Sequence, residues 1–213
     1  MIKAVIFDLD DTLVTTRVVK WEQHKAVARE FYGRETTDEK LLEHWGKPFD
    51  TLINLLHDGV DTIENLHAAY AATSHRFPKE VQKDTLCTVD RLLNNGIQLG
   101  IVTATNRNFL LKDLERLGFP HERFFCLQGA DETDVHKPDP RVFDPILGAL
   151  QRTGISKDET MYVGDALTDW YAARDAGLHF IGVTTGLNSA DEFKAAGAPK
   201  VIERLSELPA IIS

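Results

Sequence analysis

Four polar clusters, each placed at the end of a short apolar run or in a rigid turn, carry the side chains best able to do chemistry in this sequence. Asp8-Leu9-Asp10-Asp11-Thr12 follows the apolar run Ala4–Phe7, and acids at i and i+2 can converge once the chain leaves extended geometry. Thr103 follows Gln98–Val102 and leads into Ala104-Thr105-Asn106-Arg107. Lys137 opens the turn Lys137-Pro138-Asp139-Pro140, directly ahead of a helical pattern. Met161-Tyr162-Val163-Gly164-Asp165 runs from strand into turn, with Asp169 four residues on. Carboxylates serve as nucleophiles, proton carriers and ligands for hard cations, while a hydroxyl and an ammonium supply donors and positive charge. Each cluster alone also fits a plainer role. Asp8 to Thr12 could be a solvated acidic turn, Lys137 a surface residue, and Asp165 and Asp169 acids stabilised by a helix dipole.

The elements that would hold these residues alternate. Strand-like runs occur at Ala4–Phe7, Gln98–Val102, Phe124–Leu127, Thr160–Val163 and Phe180–Val183. Helical patterns fall at Phe109–Leu117, Val142–Gln151, Thr168–Ala176 and Asp191–Ala196, with another around Thr88–Asn94. The alternation predicts an α/β fold, a Rossmann-like parallel sheet with helices on both faces. Gly96, Gly118 and Gly177 each follow a helical stretch, where a left-handed residue ends a helix. In such a sheet ligands bind beyond the carboxyl ends of the strands, so Asp8, Thr103 and Asp165 occupy site-forming positions. From about Thr16 to Arg76 only helical periodicity is present, as in Trp21, Val27 and Phe31 or Leu52, Ile53 and Leu56. The expected organisation is a core of residues 1–15 and 83–213 interrupted by a helical insertion at 16–82.

Composition narrows the partners. The chain has 213 residues, 43% hydrophobic and 27% charged, as expected of a globular protein able to bury a core. Its net charge of −9 and the lack of any basic run argue against polymeric nucleic acid as partner. No apolar run approaches the roughly 20 residues of a membrane span, and the N-terminal segment lacks the pattern of a secretory signal. Cys87 and Cys126, without CxxC spacing, suggest two reduced thiols in a cytoplasmic protein. The eight histidines show no zinc-ligand spacing. An acidic protein can still bind an anion, provided a metal ion and a few cations reverse the field locally.

In order and spacing, the four clusters resemble the motif set of the haloacid dehalogenase-like hydrolase superfamily. The helical insertion resembles that superfamily's small α-helical cap, and the chain is most similar to the phosphoglycolate phosphatase and β-phosphoglucomutase branch. The resemblance implies a phosphatase in which Asp8 attacks phosphorus and water then opens the aspartyl-phosphate. It implies Mg²⁺ held by the carboxylates of Asp8 and Asp165 and the main-chain carbonyl of Asp10. The Asp10 side chain is then left to protonate the leaving oxygen and to deprotonate the attacking water. Metal-free dehalogenases of the superfamily lack an aspartate there, which favours phosphoryl over halide chemistry. Thr103 is implied to bond a phosphoryl oxygen, and Lys137 to offset charge on Asp8 and the transferred group. Asp169 is implied to orient Lys137 and a metal-bound water. Backbone N–H groups near Leu9 and Asp10, and that of Ala104, would complete the phosphoryl cradle.

The expected partner is a small phosphorylated metabolite, phosphoglycolate first, with a nucleotide or sugar phosphate as alternatives. Substrate choice is expected in the cap, at Lys47 within Gly46-Lys47-Pro48-Phe49 and at Arg17, Lys20 and His24. In the mutase branch an arginine of the cap loop grips a second phosphate. Phe49 stands near that place, which counts against a phosphomutase. Trp21 and Trp45 read as packing residues. A phosphorylated receiver domain shares an aspartate, a threonine and a lysine, but would be shorter, without the insertion, and would carry its acid later in the chain.

Overall fold

The computed structural model describes residues 1–212. Its first strand, β1 (Ala4–Phe7), is wholly buried and leads through a tight loop into β2 (Val14–Thr15). Four helices follow: α1 (Arg17–Tyr32), α2 (Asp38–His44), α3 (Phe49–Leu56) and α4 (Ile63–Thr73). Gly33, at φ 60°, closes α1, and Thr37 caps α2 by accepting the Lys40 N–H. Thr62 caps α4 in the same way through the N–H of Asn65. After β3 (Glu80–Val81) the chain alternates through α5 (Thr85–Asn94), β4 (Gln98–Val102), α6 (Arg107–Arg116) and β5 (Cys126–Gln128). It continues with α7 (Asp144–Gln151), β6 (Thr160–Gly164), α8 (Leu167–Ala176) and β7 (His179–Val183). Last come α9 (Ala190–Ala195), β8 (Val201–Ile202) and α10 (Leu208–Ile211).

Six strands form one parallel sheet in the order β5-β4-β1-β6-β7-β8. β1 lies between β4 and β6, with Phe7 in register with Ile101 on one side and Val163 on the other. Strand order reverses at β1, so the crevice beyond its carboxyl end is the natural ligand site of this topology. Alternate residues feed two cores. Val5, Phe7, Ile101 and Val163 join one, while Ala4, Ile6, Val102 and Tyr162 join the other. Burial on both faces explains why these strands read as continuous apolar runs.

The residues divide into two compact units, Met1–Thr15 with the chain from Val81 onward, and Thr16–Glu80. The helical unit has its own interior of Val27, Ile53, Leu66, Ala69 and Tyr70, beside a smaller cluster of Leu41, Leu52 and Leu56. Trp21 and Trp45 pack against that smaller cluster, with ring centroids 6.1 Å apart and edge-on.

Three details differ from the sequence reading. β2, β3 and β8 have two residues each, too short to leave a periodic pattern. The helix expected from Val142 starts as a 3₁₀ turn, Pro140–Phe143, and becomes α-helical only at Asp144. Pro140 and Pro145 have no N–H to donate and so belong at helix starts. β5 covers Cys126–Gln128, shifted from the expected Phe124–Leu127.

Ile101, wholly buried in the sheet, should lose about 2–5 kcal/mol on truncation to Ala, whereas Val18→Ala at a 67% exposed position should stay within about 0.5 kcal/mol. Urea unfolding of the two variants checks the difference, and equal losses would contradict the described core.

Candidate active site

The loop beyond β1 is built by its own backbone. Leu13 and Val14 both donate N–H to the Leu9 carbonyl, at 2.9 and 3.1 Å, and the Asp11 N–H reaches Val14 O at 2.7 Å. Asp11 takes a left-handed conformation at φ 59°, which Asp tolerates better than most residues. Thr185 Oγ1 donates to the Asp11 carbonyl at 2.6 Å. Asp8 still belongs to the sheet, its N–H donating to Val163 O at 2.9 Å, so its carboxylate leaves the strand end at a fixed point.

Lys137 gathers the centre. Its ammonium donates to Asp8 Oδ1 at 2.9 Å, Asp169 Oδ1 at 2.6 Å and the Tyr162 hydroxyl at 3.0 Å. Asp169 Oδ2 accepts the Ala166 N–H at 3.0 Å. Asp165 receives Thr12 Oγ1 on Oδ1 at 3.1 Å and the Leu187 N–H on Oδ2 at 2.9 Å. Asp10 is held from the segment just after β4, where Thr105 Oγ1 donates to its Oδ2 at 2.7 Å and Thr103 Oγ1 stands at 3.5 Å. Two glycines make room for the acids. A Cβ on Gly186 would lie 1.9 Å from Asp165 Oδ2, and one on Gly164 would lie 2.4 Å from Asp169 Oδ2.

Charge is unbalanced here. Burial, with Asp169 and Asp10 nearby, raises the Asp8 carboxyl to about 7 even though Lys137 pulls it down. Burial also holds Asp165 well above the usual carboxylate range, helped by Asp169, Asp8 and Asp11. Burial works against the Lys137 ammonium, but Asp169 and Asp8 outweigh it and keep the lysine well above its ordinary value. Asp8, Asp165 and Asp169 offer oxygens within 4.8 Å of one another. An all-carboxylate set with more negative than positive charge fits a hard divalent cation such as Mg²⁺. Asp169 is the one of the three that accepts both a lysine ammonium and a backbone N–H, whereas Asp165 accepts a hydroxyl and a backbone N–H and Asp8 meets Lys137 through Oδ1.

The structure thus brings Asp8, Asp10, Thr103, Lys137, Asp165 and Asp169 together. Leu9 is wholly buried and can offer only its backbone to a ligand, and Ala104 sits in the turn between Thr103 and Thr105. The four cap candidates lie in the helical unit, with partners of their own. Lys47 is exposed, its Nζ 3.0 Å from His44 Nδ1. The Arg17 guanidinium lies 5.6 Å from the centre of the Trp21 ring. The Lys20 amine donates to Gln23 Oε1 and to the Phe77 carbonyl. His24 is an interior residue, bonded to the Tyr70 hydroxyl and edge-on to Trp45, and burial lowers its ring to about 3.

Thr12, Thr105 and Tyr162 stand within the clusters read from the sequence but without a role of their own, and Gly186 lies outside them. Tyr162 carried the clearest signal, since a tyrosine inside an apolar strand needs a partner for its hydroxyl.

A family model described as haloacid dehalogenase-like hydrolase matches residues 5–183. The chain is 27% identical to pyrophosphatase PpaX of Anoxybacillus flavithermus over 99% of its length and 97% of the relative's. It is 28% identical to phosphoglycolate phosphatase of Yersinia pseudotuberculosis, covering 99% and 93%. In fold it is similar to CbbY from Rhodobacter sphaeroides in complex with phosphate, with TM-score 0.79, 21% identity and coverage of 98% and 96%.

A raised carboxyl has a definite sign in stability. The folded state holds the Asp8 proton more tightly than the unfolded chain, whose ordinary value is 3.8. The stabilisation is therefore complete below about pH 4 and is lost as pH rises through about 7. In metal-free buffer the thermal midpoint should fall across that window, and Asp8→Asn should flatten the fall. An unchanged slope in the variant would remove Asp8 as its source.

Proposed function

Starting from a chain that belongs to the haloacid dehalogenase-like hydrolases, we propose that Asp8 is the nucleophile of a Mg²⁺-dependent phosphatase acting on a small phosphorylated substrate. The observation that carries this reading is the buried contact between Asp8 and Lys137, with Asp165 alongside and Asp10 two residues on. Phosphate esters hydrolyse so slowly in water that a phosphatase must remove on the order of 20 kcal/mol of barrier. A covalent route divides that barrier. An Asp8 oxygen forms a bond to phosphorus as the ester oxygen departs, and Asp10 delivers a proton to that leaving oxygen. Water then attacks the aspartyl-phosphate, Asp10 takes its proton, and phosphate leaves with the Asp8 carboxylate regenerated.

Lys137 offsets the charge on Asp8 and the transferred group, while Asp169 holds Lys137 in place. Thr103 and the backbone N–H groups near Leu9, Asp10 and Ala104 would bind the phosphoryl oxygens. Thr105 would keep the Asp10 carboxyl at the strand end. Mg²⁺, held by the Asp8 and Asp165 carboxylates and the Asp10 main-chain carbonyl, would supply the positive charge that lets a carboxylate approach an anionic phosphoryl group.

Phosphoglycolate is the substrate we place first, and the relative named for it spans nearly the whole chain. Inorganic pyrophosphate is the second reading, favoured by the pyrophosphatase relative of equal coverage. Nucleotide and sugar phosphates complete the set, and a phosphomutase is disfavoured because Phe49 packs against His67 and Tyr70 inside the cap. In this reading residues 16–82 form the cap, with Lys47, Arg17, Lys20 and His24 its candidates for substrate choice. The two free cysteines fit a reducing compartment, and a cytoplasmic location belongs to the proposal. No helix among the described residues is long and apolar enough to cross a membrane.

Asp8→Asn should abolish turnover while leaving the fold intact, and a folded variant within about tenfold of wild type would overturn covalent catalysis by Asp8. Asp10→Asn should lose roughly 10²–10⁴-fold in kcat and still bind Mg²⁺, because the carbonyl remains. Loss of Mg²⁺ binding as well would contradict the roles given to the two acids. Mg²⁺ itself should raise the melting temperature of the wild type and not of Asp165→Asn, since a ion bound only by the folded state stabilises it. EDTA should abolish hydrolysis across a panel of phosphoglycolate, pyrophosphate, nucleotides and sugar phosphates, and Ca²⁺ should restore it poorly because it takes more ligands at longer distance. Full activity in EDTA would rule out the metal-dependent reading.

A further inference from the structure

Tyr162 is wholly buried in β6, with its ring edge-on to Phe143 at 4.7 Å. Its hydroxyl sits at a junction of three site segments. Lys137 Nζ donates to it at 3.0 Å, the Val102 carbonyl is 3.2 Å away and Asp169 Oδ1 is 3.1 Å away. With a single O–H, the hydroxyl donates to one of those two oxygens and accepts from the lysine.

A lysine ammonium has three N–H bonds. The three acceptors around Lys137 are Asp8 Oδ1, Asp169 Oδ1 and the Tyr162 hydroxyl, one for each. Two carboxylates alone would fix the ammonium only along the line between them. The ammonium lies closer to Asp169, at 2.6 Å, than to Asp8, at 2.9 Å. The uncharged third acceptor sets the remaining direction without adding to the negative charge. A buried tyrosine needs one partner to be satisfied, and either the Val102 carbonyl or Asp169 Oδ1 provides it. The contact with Lys137 therefore exceeds what packing requires.

We propose that Tyr162 is a positioning residue for phosphoryl transfer: its hydroxyl completes the donor set of Lys137 and holds the ammonium against Asp8. The same hydroxyl lies 3.2 Å from the Val102 carbonyl, one residue before the Thr103 that would bind a phosphoryl oxygen. The inference rests on the reading of Asp8 as nucleophile and Lys137 as its countercharge.

Tyr162→Phe removes the oxygen and keeps the ring. It should lower kcat by roughly ten- to hundredfold, the effect of one lost hydrogen bond to a charged group. KM and the Mg²⁺ concentration for half-maximal rate should stay within about twofold, because neither uses the hydroxyl. A purely structural tyrosine would instead lower the melting temperature and leave kcat within about twofold, which would overturn the proposal. 3-Fluorotyrosine placed at position 162 covers the case in which the Phe variant fails to fold. It keeps ring and hydroxyl while weakening the oxygen as an acceptor, and it should lower kcat in the same direction by a smaller factor. An unchanged kcat there would overturn the proposal too. Asp8→Asn, assayed in parallel, separates the two failures. If it is inactive and Tyr162→Phe is fully active, only the role of Tyr162 falls. If Asp8→Asn is active, the underlying reading falls and the role of Tyr162 with it.

Discussion

Asp8, Asp165 and Asp169 stand within 4.8 Å of one another in the interior of the sheet unit, with the ammonium of Lys137 held between Asp8 and Asp169. Like charges at that separation repel strongly where water is scarce, so the carboxylates need donors or countercharge from the protein. Much of the surrounding architecture answers that repulsion. Thr12 and the Leu187 N–H hold Asp165, and the Ala166 N–H and Lys137 hold Asp169. Gly164 and Gly186 leave space that any side chain would close. The residual excess of negative charge suits a divalent cation, and in the proposed reaction such an ion would let the Asp8 carboxylate approach an anionic substrate.

The sheet topology puts these acids where they meet. Asp8 ends the strand at which the order reverses, Asp165 follows its neighbour β6, and Thr103 follows its neighbour β4. Three segments far apart in the chain therefore deliver polar groups to one crevice while their apolar residues supply both cores. The helical unit has a different character. Beside its aliphatic residues it buries polar rings, with His24 and His57 both on the Tyr70 hydroxyl and burial lowering each ring, to about 3 and about 4.

What could be read in advance follows from how strongly each feature marks the chain. Asp8, Thr103 and Asp165 were legible because each ends a buried strand, and such strands show as unbroken apolar runs. Lys137 was legible through its prolines. The two-residue strands left no pattern, and the start of α7 moved because Pro140 and Pro145 favour a different first turn. Tyr162 carries only a partial signal: its ring satisfies the apolar pattern of β6, its hydroxyl calls for a partner, and local sequence does not show that the partner is Lys137. In the helical unit, periodicity gives the buried face of each helix but not its polar partners. The bond from Lys20 to the Phe77 carbonyl joins residues 57 positions apart, a pairing that local sequence does not encode.

The central claim is that phosphate passes through a covalent bond to Asp8. The most direct measurement is acid quenching of the enzyme during turnover of a phosphorylated substrate with Mg²⁺, followed by mass spectrometry of its peptides. The account predicts a phosphorylated peptide whose modification maps to Asp8, present at the earliest time points and absent from Asp8→Asn. A phosphate on any other residue, or full turnover with no phosphorylated peptide at any time point, would contradict it.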